Sequence, residues 1–158
     1  MLIIEKVFLL KSVDLFADLS EERLVSIAEV IKEEFVNKGH EIFHKGDKGN
    51  NLYLIKEGLI SIHDEENELA RLTAEDFFGE MSLLSSESRT ASATAIEDSV
   101  LLKLNQWQFY ELLETDVSIL KGIIQTLCTR LMKQNKLISQ LKKSLCNTMN
   151  REIDPYES

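Results

Sequence analysis

The 158-residue chain is poor in the residues that punctuate or cross-link a fold: it has one proline, two cysteines, one tryptophan and six glycines. The proline is Pro155, so nothing before it interrupts a helix or strand ladder through a missing N–H. Two cysteines do not supply the cysteine cluster of an iron-sulfur sensor. Cys128 and Cys146 fall on one expected helix, where eighteen residues of rise separate them by ~27 Å, too far for a bridge within the chain. That usage suits a reducing, cytoplasmic setting. No apolar run reaches membrane-spanning length, and residues 1–10 are interrupted by Glu5 and Lys6 without a small-residue cleavage site, so neither membrane insertion nor a signal peptide is expected.

Basic residues are also scarce. Lys and Arg number 18 against 27 Asp and Glu, a net charge of -9, which argues against nucleic-acid binding through a basic surface. The deficit is uneven. Residues 1–120 hold 11 basic and 24 acidic side chains, whereas 121–158 hold 7 and 3, the basic ones recurring along a helical pattern that reads as a solvated face. The length allows one domain with a sizeable core plus an extra helix.

Residues 1–31 read as two helices, over 4–12 and from an N-cap at Ser20 to about Val30, with Leu24, Ile27, Ala28 and Ile31 at helical spacing. Five of the six glycines then fall between 39 and 79, among strand-like runs at 34–36, 41–44, 51–57, 59–63, 68–73, 92–96 and 100–104. Turns every ten residues or so predict a small sandwich or barrel over 32–104. A helix is expected over 105–114, and a longer one over 117–145. Leu120, Ile124, Leu127, Leu131, Gln134, Ile138, Leu141 and Leu145 alternate steps of four and three along it. A heptad seam of that length, on a rod of ~44 Å, exceeds what a small barrel covers, so a homodimer through this helix is expected. Residues 147–158 are expected to be a disordered tail.

His40, His44 and His63 are the only histidines. On a strand His40 and His44 would sit ~13 Å apart, so a shared metal is not expected. No Ser-His-Asp or paired-carboxylate arrangement stands out, and the chain is not read as an enzyme.

The chemistry gathers at residues 78–91. Phe77 and Phe78 close a strand, Gly79 permits a tight turn, and the residues to Leu84 can form a helical turn whose free N–H groups favour an anion. Glu80 would repel a phosphate and suits sugar hydroxyls instead, while Arg89 can return as a fork to the anion. Phe78-Gly79-Glu80, then Leu83-Leu84, then Arg89-Thr90-Ala91 resembles the phosphate-binding cassette of the cyclic-nucleotide-binding domains, the family of catabolite activators and protein kinase A regulatory subunits. Ser88 departs from the proline, and Ser82 from the alanine, that many members carry. The stretch from Gly46 through Ile55 resembles the family's early hairpin, so the likeness covers about residues 12–135.

That resemblance implies a mainly β fold, an eight-stranded, jelly-roll-like β roll with N-terminal helices and a long C-terminal helix. It implies cyclic AMP or cyclic GMP as ligand, with no cofactor or metal. Arg89, Thr90 and Ser82 would hold the phosphate, and Gly79 and Glu80 the ribose. Gln134, Asn135 and Thr90 would meet the base; the first two coincide with the polar break in the seam. After Leu145 too few residues remain for a helix-turn-helix reader, so DNA binding by this chain is not expected, and the long helix would signal either to an effector protein in trans or to an effector domain of a larger protein that lies outside this sequence. The other reading is a dimerising scaffold whose cassette no longer binds, raised by Ser88 and by Glu87 beside Arg89.

Overall fold

The structure, a computed structural model, describes residues 1–85 and 87–153, apart from the side chains of Leu83 and Ile153. Helices α1 (Ile3–Ser12) and α2 (Glu21–Val30) lead into strands β1 (Lys32–Val36), β2 (Glu41–Phe43), β3 (Asn51–Glu57), β4 (Ile60–Asp64), β5 (Asn67–Leu72) and β6 (Phe77–Phe78). The short helix α3 (Glu80–Ser85) follows, then β7 (Ser92–Ala95), β8 (Ser99–Asn105), α4 (Gln106–Thr115) and α5 (Ser118–Ile153). The strands form two four-stranded antiparallel sheets, ordered β1-β8-β3-β6 and β2-β7-β4-β5, the β roll expected from the sequence.

The apolar run at Leu52 to Ile55 shows why one sheet sits at the centre. Alternate side chains of a strand point to opposite faces, so an uninterrupted apolar run requires both faces to be covered. Leu52 and Leu54 join Leu102, Leu104 and Phe77 against Leu10, Phe16, Leu24, Ile27, Phe109, Ile119 and Ile123 of the helical layer. Tyr53 and Ile55 point the other way, into the roll, with Ile60, Phe78, Ala93, Ala95 and Leu101. The outer strand β5 is exposed along nearly all its length. Ser20 caps α2 by accepting from the Arg23 N–H at 3.4 Å, and Asn105 caps α4 by accepting from the Gln108 N–H at 2.9 Å.

Helix α5 runs beyond its expected end at residue 145. It continues to Ile153, so residues 147–153 are helical rather than a disordered tail, while 154–158 lie outside the described residues. The continuation has a simple cause: Cys146 to Glu152 contains neither glycine nor proline, and the first residue that opposes helix is the one preceding Pro155. The body is packed by Ile119 and Ile123, both buried, instead of the neighbouring seam residues Leu120 and Ile124, which are exposed. Leu127 alone among the seam residues packs on the helical core.

Candidate functional site

Gly79 joins β6 to α3 with φ +87, a region that residues with a Cβ enter only at a cost. A Cβ there would also stand 2.7 Å from the Asn51 carbonyl oxygen and 2.9 Å from Arg89 Nη1. The turn therefore lets the backbone close over Arg89 and swings Glu80 inward, where it is buried along with Ser82.

Arg89 is 4% exposed, and its charge is the most unusual feature of the site. Its Nη1 donates to the Gly79 carbonyl and its Nη2 to the Asn51 carbonyl, each at 3.0 Å. Its Nε is buried with no hydrogen-bond partner and lies where a Cβ on Gly49 would come within 2.2 Å. The guanidinium stacks over Phe43 at 4.0 Å from the ring centroid, beside Tyr53 and Phe78. Its backbone is fixed as well: the Arg89 N–H donates to the Asp47 carbonyl at 2.7 Å, and its carbonyl accepts from the Gly46 N–H at 2.8 Å. Among the described residues no carboxylate pairs with it. Burial pushes the guanidinium down from its ordinary range, partly offset by Tyr53, Glu80 and Asp47. A buried cation without a paired carboxylate carries a desolvation cost that neighbouring acids offset only in part and that an anion beside it would offset further.

Glu80 has a partner that sequence reasoning missed. Arg130 of α5 makes an ion pair from Nη1 to its Oε1, donates from Nη2 to the Phe77 carbonyl at 2.9 Å, and lies 4.9 Å over the Phe77 ring. Arg130 continues the face of Ile119, Ile123 and Thr126, at steps of four, three and four, a spacing that singles it out only once that face is known to meet the body.

The structure thus brings together Gly79, Glu80, Ser82 and Arg89. Ser82 lines a cavity of about 300 Å³ with Lys48, Gly49, Asn50, Glu87 and Gln106. Thr90 follows Arg89 but is exposed. Gln134 and Asn135 lie one turn or more beyond Arg130, are exposed, and among the described residues make no hydrogen bond to the cassette. A larger cleft of about 900 Å³ separates α5 from the body; it is bordered by Asp14, Asp18, Glu75, Asp76, Arg130 and Lys133. His44 Nδ1 stands 3.1 Å from Glu41 Oε1, and His63 is held between Thr94 Oγ1 and the Glu65 carbonyl, each at 2.8 Å. Among the described residues no group of three or more His, Cys, Asp or Glu could hold a metal ion.

The family model for the cyclic nucleotide-binding domain matches residues 33–116, over half of the chain, which therefore belongs to that family. It is 30% identical over 113 residues to a cAMP-dependent protein kinase regulatory subunit of Candida albicans, covering 71% of this chain and 25% of the relative. It is 34% identical over 126 residues to cGMP-dependent protein kinase isozyme 1 of Drosophila melanogaster, covering 75% and 15%. The crystal structure of the Thermus thermophilus catabolite activator protein superposes with a TM-score of 0.73 at 29% identity, over 82% of this chain and 63% of that one. The chain thus spans a quarter or less of the two kinase relatives' length.

Proposed function

We propose that this domain is a cyclic-nucleotide sensor for cyclic AMP or cyclic GMP, a binding module rather than an enzyme. The observation that carries the reading is Arg89, a buried cation that among the described residues has no carboxylate partner and an Nε without a hydrogen bond, held in the cassette beside Glu80. In this reading the cyclic phosphate meets Arg89, Ser82 and Thr90, and the ribose meets Glu80 and the Gly79 turn. Gln134, Asn135 and Thr90 face the base. Because Arg130 ties Glu80 to α5, a ribose hydroxyl donating to the same carboxylate changes what holds the long helix. The seam residues Leu131, Ile138, Leu141 and Leu145 are each half or more exposed, which supports pairing of α5 in a homodimer. The output is then helix packing, read by an effector protein in trans in the cytoplasm, with no nucleic acid bound.

One observation favours the scaffold reading: both Nη groups of Arg89 already donate to backbone carbonyls. Isothermal titration with cyclic AMP, cyclic GMP and a 2′-deoxy analogue decides between them. Binding of at least one of the two ribose nucleotides, with weaker binding of its 2′-deoxy analogue, is the expected result, and Glu80→Gln should lower affinity for the ribose form alone. Absence of binding by the wild type would leave the dimerising scaffold as the function.

A further inference from the structure

Past Arg130, α5 runs clear of the body, and residues 131–152 are exposed on every side. This stretch carries Lys133, Lys136, Lys142, Lys143 and Arg151 against a single acid, Glu152. Among the described residues none of the five cations makes an ion pair. A helix face that merely meets water usually mixes signs, with Glu–Lys pairs four residues apart. Here the charge is of one sign and left unbalanced.

The cations are also sorted around the helix. At 3.6 residues per turn, Lys136 and Lys143 fall directly opposite the seam of Leu131, Ile138, Leu141 and Leu145, with Lys133 and Arg151 beside them. The four make a ridge ~27 Å long that remains open when the seam is paired. Lys142 alone lies near the seam. We propose that this ridge docks an acidic segment of a partner polypeptide, which is the effector in trans of the reading above. The inference rests on that reading for the helix being an output, whereas docking itself depends only on the ridge.

A bilayer or duplex fits less well. Either would present an extended anionic surface to the body, which carries 24 acidic against 11 basic residues over 1–120. Residues 131–153 also contain no aromatic side chain to anchor a helix at a lipid interface. A short acidic segment can confine itself to the ridge.

The test uses the whole chain and a fluorescently labelled glutamate-rich peptide long enough to span the ridge, followed by anisotropy at low and high salt. The wild type should bind saturably, with affinity falling as salt rises. Lys133→Gln, Lys136→Gln, Lys143→Gln and Arg151→Gln combined should weaken binding about tenfold or more, while circular dichroism and sedimentation remain as in the wild type. No saturable binding, equal binding by the combined variant, or tighter binding of phosphatidylserine-containing vesicles or duplex DNA than of the peptide would overturn the proposal. Titrating cyclic nucleotide into the same samples separates the two ideas: the combined variant should bind it as the wild type does. A wild type that takes the peptide but no nucleotide would defeat the sensor reading and leave the ridge standing.

Discussion

Replacing Arg130 with alanine removes three contacts at once and tests whether α5 is fastened to the cassette. The ion pair to Glu80, the hydrogen bond to the Phe77 carbonyl and the stacking on Phe77 all go. Glu80, 6% exposed, is then left as an unpaired buried carboxylate. A charged hydrogen bond contributes about 1.5–3 kcal/mol. The Arg130 side chain is 38% exposed, so solvent screens part of this and reduces the expected loss to about 2 kcal/mol. For a domain of this size each kcal/mol moves Tm by about 2–4 °C, so the variant should melt about 4–8 °C below the wild type. Thermal melts and urea titrations of wild type, Arg130→Ala, Glu80→Gln and the double variant complete a cycle. The coupling between the two sites should be about 1–2 kcal/mol. Lys133→Ala, one turn along on an exposed position, serves as the control and should change stability little. If Arg130→Ala melted with the wild type and the cycle showed no coupling, α5 would not be fastened through Glu80 and the proposed route from ligand to helix would fail.

Two further variants test other parts of the account. Glu75 holds φ 73 in the turn before β6, fixed by its N–H donating to the Ile55 carbonyl at 2.9 Å. Glu75→Gly should raise stability by about 0.5–1 kcal/mol in a urea titration, and a loss would show that the strain argument is wrong at this turn. Gln134→Leu replaces the one polar seam residue between Leu120 and Leu145 with an apolar knob; sedimentation should find it at least as dimeric as the wild type, and calorimetry should find weaker nucleotide binding. Unchanged affinity would remove Gln134 from the base site.

Much of this architecture was legible because local signals agreed with one another. The apolar run at Leu52 to Ile55 lies between two breaks, and β3 spans the same residues that its pattern predicts. Ser20 and Asn105 act as caps because their side chains can accept from the next turn. The Gly79 turn was readable because few other residue types take up the left-handed conformation it adopts. What escaped depends on tertiary contact. Arg130 is fifty residues from Glu80 in the chain, and on a solvent-rich helix it looks like any other cation until the body-facing side is known. The seam at Leu120 and Ile124 is regular enough to suggest packing on the roll, yet Ile119 and Ile123 take that role, since two adjacent apolar stripes cannot be ranked from periodicity alone. The left-handed conformation of Glu75 gave no signal either, because glutamate rarely occupies it.

The central claim is that the unmatched charge of Arg89 exists to meet a cyclic phosphate, and calorimetry of the wild type beside Arg89→Ala tests it most directly. Removing one partner of a buried charge pair costs about 2–5 kcal/mol. The variant should therefore bind cyclic AMP or cyclic GMP about thirtyfold to several-thousandfold more weakly, while circular dichroism shows the same fold. A folded Arg89→Ala domain that binds nucleotide within a factor of about two of the wild type, well under 1 kcal/mol, would contradict the account.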